Sequence, residues 1–223
     1  MGKDDIKKLP KMSPKVQIRY NKFVLFKEKK ALEGYDTKDL TIHPVLVNVL
    51  AIFISIPILI ACILIYQKLV GPIDLQVIRD MGMLKFILIY LPLYTLLTII
   101  HELIHGLCWG VCAKDHFKNV EFGVFWKHLT PYCTIQYPLK KWQYVFGTSM
   151  PTIILGFIPF VFAILYSSTH FFIVSIGMIL GGIGDLMVII RLLSFAPKNK
   201  IVSYIDHPYK CGLIAFVKDK ETK

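Results

Sequence analysis

His101–Glu102–Leu103–Ile104–His105 sets two imidazoles four residues apart with a carboxylate beside the first. On a helix, positions i and i+4 share a face, so both rings can meet one metal ion. Glu102 lies three residues before His105, on the flank of that face, where it can take a proton from water held by the ion. Zinc suits such donors and lowers the pKa of its water to about 7, so a nucleophile is available at neutral pH. The surrounding run is Leu, Ile and Tyr. Ionisable groups in such a setting are costly and mark a functional site by default. The competing reading is polar glue between helices, which does not require all three residues at metal-ligand spacing.

A catalytic zinc takes three protein ligands and leaves one position open. Asp185, in Gly181–Gly182–Ile183–Gly184–Asp185, is the other acidic residue well inside an apolar run. His105 lies nine residues before Lys114, and Asp185 six residues before Arg191. If both helices run from outside to inside, these depths differ by about one helical turn. Asp185 can then face the two histidines, with the nearby glycines allowing close helix approach. The alternatives are a pair with Arg191 or a place behind the ligands. His116, His128 and Cys133 read as surface or packing residues. Asp206–His207 before Pro208 reads as a turn, and His43 and His170 as polar rings at span ends. Thr98 could orient Glu102 or an imidazole, and Thr148, Ser149 and Pro151 could face the site.

The elements that must position these residues are membrane spans. Hydrophobic residues make up 55% of the 223, and they are bunched into runs of about 20, enough to cross a bilayer. Four spans are expected, at about 45–66, 84–112, 144–166 and 171–193, forming a membrane domain over 44–193. A basic segment, 1–43, precedes it, and a polar tail, 194–223, follows. Pro10 and Pro14 argue against a long helix in the first segment. Its stretch Val16 to Phe26 reads either as a surface lying on anionic lipid or as a short strand. Between spans two and three, Val120–Trp126 and Tyr132–Tyr137 are β-prone, and 127–131 reads as the turn of a hairpin. The expected fold is therefore an all-α membrane bundle of four helices with a small cytoplasmic β-hairpin.

The net charge of +11 follows the loops. The first segment carries +5, the first linker 0, the hairpin section +3 and the chain from Arg191 onward +4, while Ser167–His170 has no Lys or Arg. This alternation matches the positive-inside rule and puts both termini in the cytoplasm of a plasma-membrane protein. Without a nucleic-acid motif, the charge does not indicate nucleic-acid binding. Five cysteines without CxxC spacing are not a disulfide framework. The first apolar run begins near Val45, too late for a cleavable leader.

An HExxH span, a hairpin section, another span and a further one bearing Asp resemble the site-2 protease class of intramembrane zinc peptidases. More narrowly, His101–Gly106, Pro131–Tyr132–Cys133, Gly184–Asp185 and Asp206–His207–Pro208 with Gly212 resemble the bacterial family called putative zincin peptidases, over roughly residues 85–215. The resemblance implies His101, His105 and Asp185 as zinc ligands and Glu102 as base. Leu186 follows Asp185, where site-2 proteases typically carry Gly. The reading is a zinc metalloendopeptidase acting on membrane-associated peptide or protein substrates near the cytoplasmic face, with an extended substrate adding to the hairpin edge. Its rivals are a metal-transporter subunit and an inactive zinc-binding scaffold.

Overall fold

The structure is a computed structural model and describes residues 12–125 and 130–220. Of the turn expected at 127–131, residues 127–129, with His128, lie outside them, as does Pro10, while Thr130 and Pro131 belong to a strand rather than to the turn. The chain is mostly helical. Helix α1 (Pro14–Leu32) is followed by β1 (Asp36–Asp39) and the long helices α2 (Pro44–Leu69) and α3 (Gln76–Cys112). After a 3-10 turn come β2 (Val120–Phe125) and β3 (Thr130–Ile135). Helix α4 (Lys141–Leu165) contains a π-helical turn at Ile153–Phe157. Helices α5 (Thr169–Gly181) and α6 (Ile183–Ser194) and strands β4 (Lys200–Asp206) and β5 (Leu213–Asp219) complete the chain.

Among the described residues, three helices, α2, α3 and α4, are long and apolar enough to cross a membrane, or four stretches if α5 and α6, bent by 42° at their break, count as one span. Leu46, Phe53, Ile60 and Leu64 of α2 and Leu84, Leu88, Leu91 and Leu103 of α3 all point outward and are exposed. An apolar surface this extensive is suited to hydrocarbon surroundings rather than to water. Gly82 breaks the helical geometry of α3 (φ 73°), so the stretch that carries the histidines begins after it.

The hairpin falls where β-propensity puts it: β2 and β3 pair antiparallel, with Phe122 opposite Cys133. Two expectations for the ends of the chain are corrected. Pro14 does not prevent an early helix. It sits at the first helical position, where its missing N–H costs nothing, and Ser13 caps the end by accepting from the Val16 amide. The stretch from Val16 to Phe26 is accordingly helix, not strand. The tail is not merely polar either. Strands β4 and β5 pair antiparallel, β1 joins β5 on its other side, and the three form a sheet in the order β1-β5-β4. The all-α bundle thus carries two small sheets rather than one hairpin.

Strand β5 is buried on both faces. Ile214 and Phe216 pack with Phe23 of α1, while Leu213, Ala215 and Val217 join Trp109, Tyr144, Leu192 and Leu139 in the largest core. That core seals the ends of α3, α4 and α6 against the sheet. A separate cluster of Cys62, Tyr66, Phe160, Ala163, Phe172 and Ile179 joins α2, α4 and α5.

Candidate metal centre

His101 and His105 sit one turn apart on α3 and are both buried. Asp185 stands in the first turn of α6, just beyond the bend. One carboxylate oxygen, Asp185 Oδ2, lies 3.0 Å from His101 Nε2 and 3.3 Å from His105 Nε2. Among the described residues, these histidines are the ion-pair partners of Asp185, and Arg191 is exposed. Of the three glycines before Asp185, only Gly182 has a close neighbour. A Cβ there would lie 2.0 Å from Thr152 Oγ1, whereas Gly181 and Gly184 face nothing within 4 Å. Close approach at Gly182 lets the bent pair α5–α6 meet α4 and brings Asp185 to α3.

The orientation of His105 has a covalent origin in α4. A helical carbonyl at i normally accepts from the N–H at i+4. Pro151 has no N–H, so the carbonyl of Gly147 is left without that partner. His105 Nδ1 lies 2.8 Å from Gly147 O. A carbonyl only accepts, so the proton is on Nδ1, and Nε2 turns its lone pair toward Asp185. Gly147 also admits Trp109, since a Cβ there would lie 2.1 Å from Trp109 Cδ1. The indole stacks on the His105 ring at 5.0 Å and 13°, and its N–H donates to Tyr144 O.

Glu102 is fixed by the hairpin. Its Oε2 accepts from the Cys133 backbone N–H at 2.6 Å. Two residues on, the Ile135 N–H donates to Asp206 Oδ2 at 2.7 Å. Alternate residues of a strand point their amides to the same edge, so both amides belong to the edge of β3 that faces away from β2. Pro131, the preceding residue on that edge, has no amide to offer. Gly106 lets the hairpin rest on α3, as a Cβ there would lie 2.3 Å from Phe122 Cζ.

Asp206 is no simple turn residue. It also accepts from Tyr144 O–H, tying the tail to α4 and β3 together. Burial raises its pKa, opposed by these hydrogen bonds. His207 does form the turn. Its Nδ1 accepts from the amides of Tyr209 and Lys210, and burial, with Lys210 beside it, lowers its pKa to about 4. Cys133 reaches the site through its backbone. Burial, then the carboxylates of Asp206 and Glu102, push its thiol far above the ordinary range, away from ligand thiolate. Thr98 and Thr148 donate to carbonyls of their own helices. Ser149 does the same, His170 pairs with Tyr90, and His43 stands at the N-cap position of α2 without a side-chain capping bond. His116 is exposed.

Two cavities flank the centre. One of about 600 Å³ lies beneath the first turns of α1 and the 207–212 loop and reaches Asp185. The other, about 580 Å³, lies between α3 and the hairpin and reaches Glu102, with Tyr94, Leu103, Phe122 and Pro131 among its walls. Tyr132 borders both.

The donor set fits a zinc ion. His101, Glu102 and His105 offer ligand atoms within 4.8 Å of one another, and Asp185 adds an oxygen that meets both imidazoles. Across a tetrahedral zinc, nitrogen and oxygen ligands stand about 3.3 Å apart, close to the two separations here. With the proton of His105 committed to Gly147, a lone pair facing a carboxylate at 3.3 Å needs a cation or a second proton between them.

The chain is mostly helical, with apolar helices long enough to cross a membrane and a His101–Glu102–His105 cluster able to hold a metal ion. Residues 94–201 match the family model described as putative zincin peptidase, which points to a zinc metallopeptidase. The matched stretch takes in the HExxH, the hairpin and Asp185. No curated protein and no solved structure matches the chain.

Proposed function

We propose that this chain is an intramembrane zinc metalloendopeptidase in which His101, His105 and Asp185 hold the ion and Glu102 is the general base. The observation that supports it most directly is the convergence of two imidazole nitrogens on one carboxylate oxygen, with His105 already oriented by Gly147. Glu102 serves less well as a ligand because its Oε2 is engaged by Cys133 N–H, which leaves the other oxygen for a proton. When bound, zinc supplies a Lewis acid that polarises the scissile carbonyl and acidifies the attacking water. Glu102 accepts the water's proton and passes it to the leaving amine. Trp109 and the apolar walls limit bulk water around the acting groups.

The cavity between α3 and the hairpin opens beside the apolar outer face of α3, so a substrate held in lipid can enter sideways. Its backbone must be paired there, and the hairpin provides a strand for it to lie along. The positive loops support a reaction near the cytoplasmic face of the plasma membrane, with both termini inside. Reconstituted protein is expected to cleave membrane-anchored peptides only when it holds zinc. Cleavage that survives complete stripping of metal contradicts the proposal. Proline at Gly123, a residue whose amide edge faces Tyr132 of β3, removes a ladder bond and is expected to cut turnover at least tenfold while sparing zinc. Unchanged turnover removes the hairpin from the mechanism.

A transporter would share one feature, the bend between α5 and α6. Transporter sites usually rest on a pair of broken helices, and among the described residues this is the one bent pair. Zinc flux in proteoliposomes would favour that reading instead.

A further inference from the structure

Helix α1 has three sectors. Arg19 and Phe23 are buried, Phe26 and Lys30 half-buried, and together they face the hairpin and the sheet. Gln17, Asn21 and Glu28 are exposed and polar. Between these sectors runs a third: Lys15, Ile18, Lys22, Leu25, Lys29 and Leu32, in alternating steps of three and four residues, which keeps them in one stripe. Its apolar members are Ile18 at 58%, Leu25 at 67% and Leu32 at 91% exposure. Neither the core nor water accounts for three large apolar side chains interleaved with three lysines.

We infer that this stripe docks on the anionic headgroup surface of the bilayer that the chain's own spans occupy. The inference goes beyond the peptidase reading and rests on the membrane reading alone. Charge complementarity supports this occupant: α1 carries six Lys or Arg and one acidic residue, Glu28. Lysines flanking an apolar line are the pattern of helices that lie in a lipid interface. The stripe is also continuous with a surface at membrane level. Lys15 Nζ donates to Phe122 O at 2.7 Å, and Phe122 walls the cavity shared with Ile99 and Leu103 of α3, both exposed on that span. From Leu32 the chain reaches α2 through β1 and a short link, so α1 stays near the plane where the spans emerge. Because Val16 and Arg19 line the cavity that reaches Asp185, the docked helix forms part of the approach to the metal centre.

The test uses the full chain in nanodiscs of phosphatidylcholine, with or without about one-third phosphatidylserine. A polarity-sensitive fluorophore is attached at Leu25→Cys in a Cys211→Ser background, with Asn21→Cys as the polar-face reference and Cys211→Ser alone as the labelling blank. In anionic discs the probe at position 25 is expected to show apolar-type emission and to be quenched by headgroup-proximal quencher lipid, while the probe at 21 stays water-like. Lys22→Glu with Lys29→Glu, or high salt, should lower the docked fraction, by about fivefold in its equilibrium for each lysine charge lost. Water-like emission at 25 in both lipids overturns the inference. So does an apolar signal indifferent to lipid charge, or one that appears only with two protein copies per disc, which would assign the stripe to a protein partner. Metal content is read on the same samples, so failure of lipid docking is distinguishable from failure of the peptidase reading.

Discussion

Glu102→Gln is expected to keep its zinc and lose catalysis, with turnover down by about 10²–10⁴-fold. The amide preserves the size of the side chain and still offers an oxygen to the Cys133 N–H, which holds Glu102 in place at 2.6 Å. The hairpin contact and the fold should therefore survive. What is lost is the capacity to take up a proton. Because the ligands proposed for the ion are His101, His105 and Asp185, its affinity should be nearly unchanged. Turnover and metal content measured on one preparation separate the roles. If Glu102→Gln loses zinc along with activity, Glu102 is itself a ligand, and the base must be sought elsewhere.

Pro151→Ala is expected to weaken zinc binding although ordinary helix energetics favour the substitution. Replacing a helix-interior proline by alanine normally favours the helix, by up to about 3 kcal/mol. Here it also restores an N–H four residues after Gly147, and that N–H competes for the carbonyl that orients His105. Loss of such an orienting partner typically weakens metal binding by about 10–100-fold. A variant as stable as the wild type, or more so, but with zinc affinity reduced by that factor is the expected outcome, read by thermal unfolding and competitive chelation. Unaltered zinc affinity would show that the carbonyl of Gly147 serves packing alone. Trp109, stacked on His105 and pressed against Gly147, gives the same device a second hold.

Much of the site could be read from the chain because its chemistry is local. The HExxH spacing is a property of five residues, and Asp185 stood out as an acid within an apolar run. The hairpin followed from two β-prone runs around a proline. The orienting device was also written in the chain, as Gly147 and Pro151 four apart, but a proline in a helix signals only a freed carbonyl. What fills that carbonyl is decided by packing against another helix. The Cys133 amide was likewise out of reach, since side-chain patterns do not reveal which backbone donors a strand edge presents.

The ends of the chain misled for a different reason. Averaged charge made the tail read as merely polar, yet Leu213–Val217 is an unbroken apolar run, the mark of a strand covered on both faces. Its covers come from distant parts of the sequence: Phe23 of α1 from the first forty residues, Trp109 and Tyr144 from the bundle. Asp206 could be read as a turn former because Pro208 follows closely. Its burial against Tyr144 and Ile135 depends on a sheet that neither segment forms alone.

In the proposed site His101, His105 and Asp185 together hold one zinc ion. Its most direct test is the metal content of purified wild-type protein beside His101→Ala and Asp185→Ala, each checked for intact folding by thermal unfolding. About one zinc per wild-type chain is expected, with loss of the ion in both variants. Wild-type protein that purifies without metal and takes up none when offered zinc would contradict it, and His101, His105 and Asp185 would then be a polar contact holding α3 to α6.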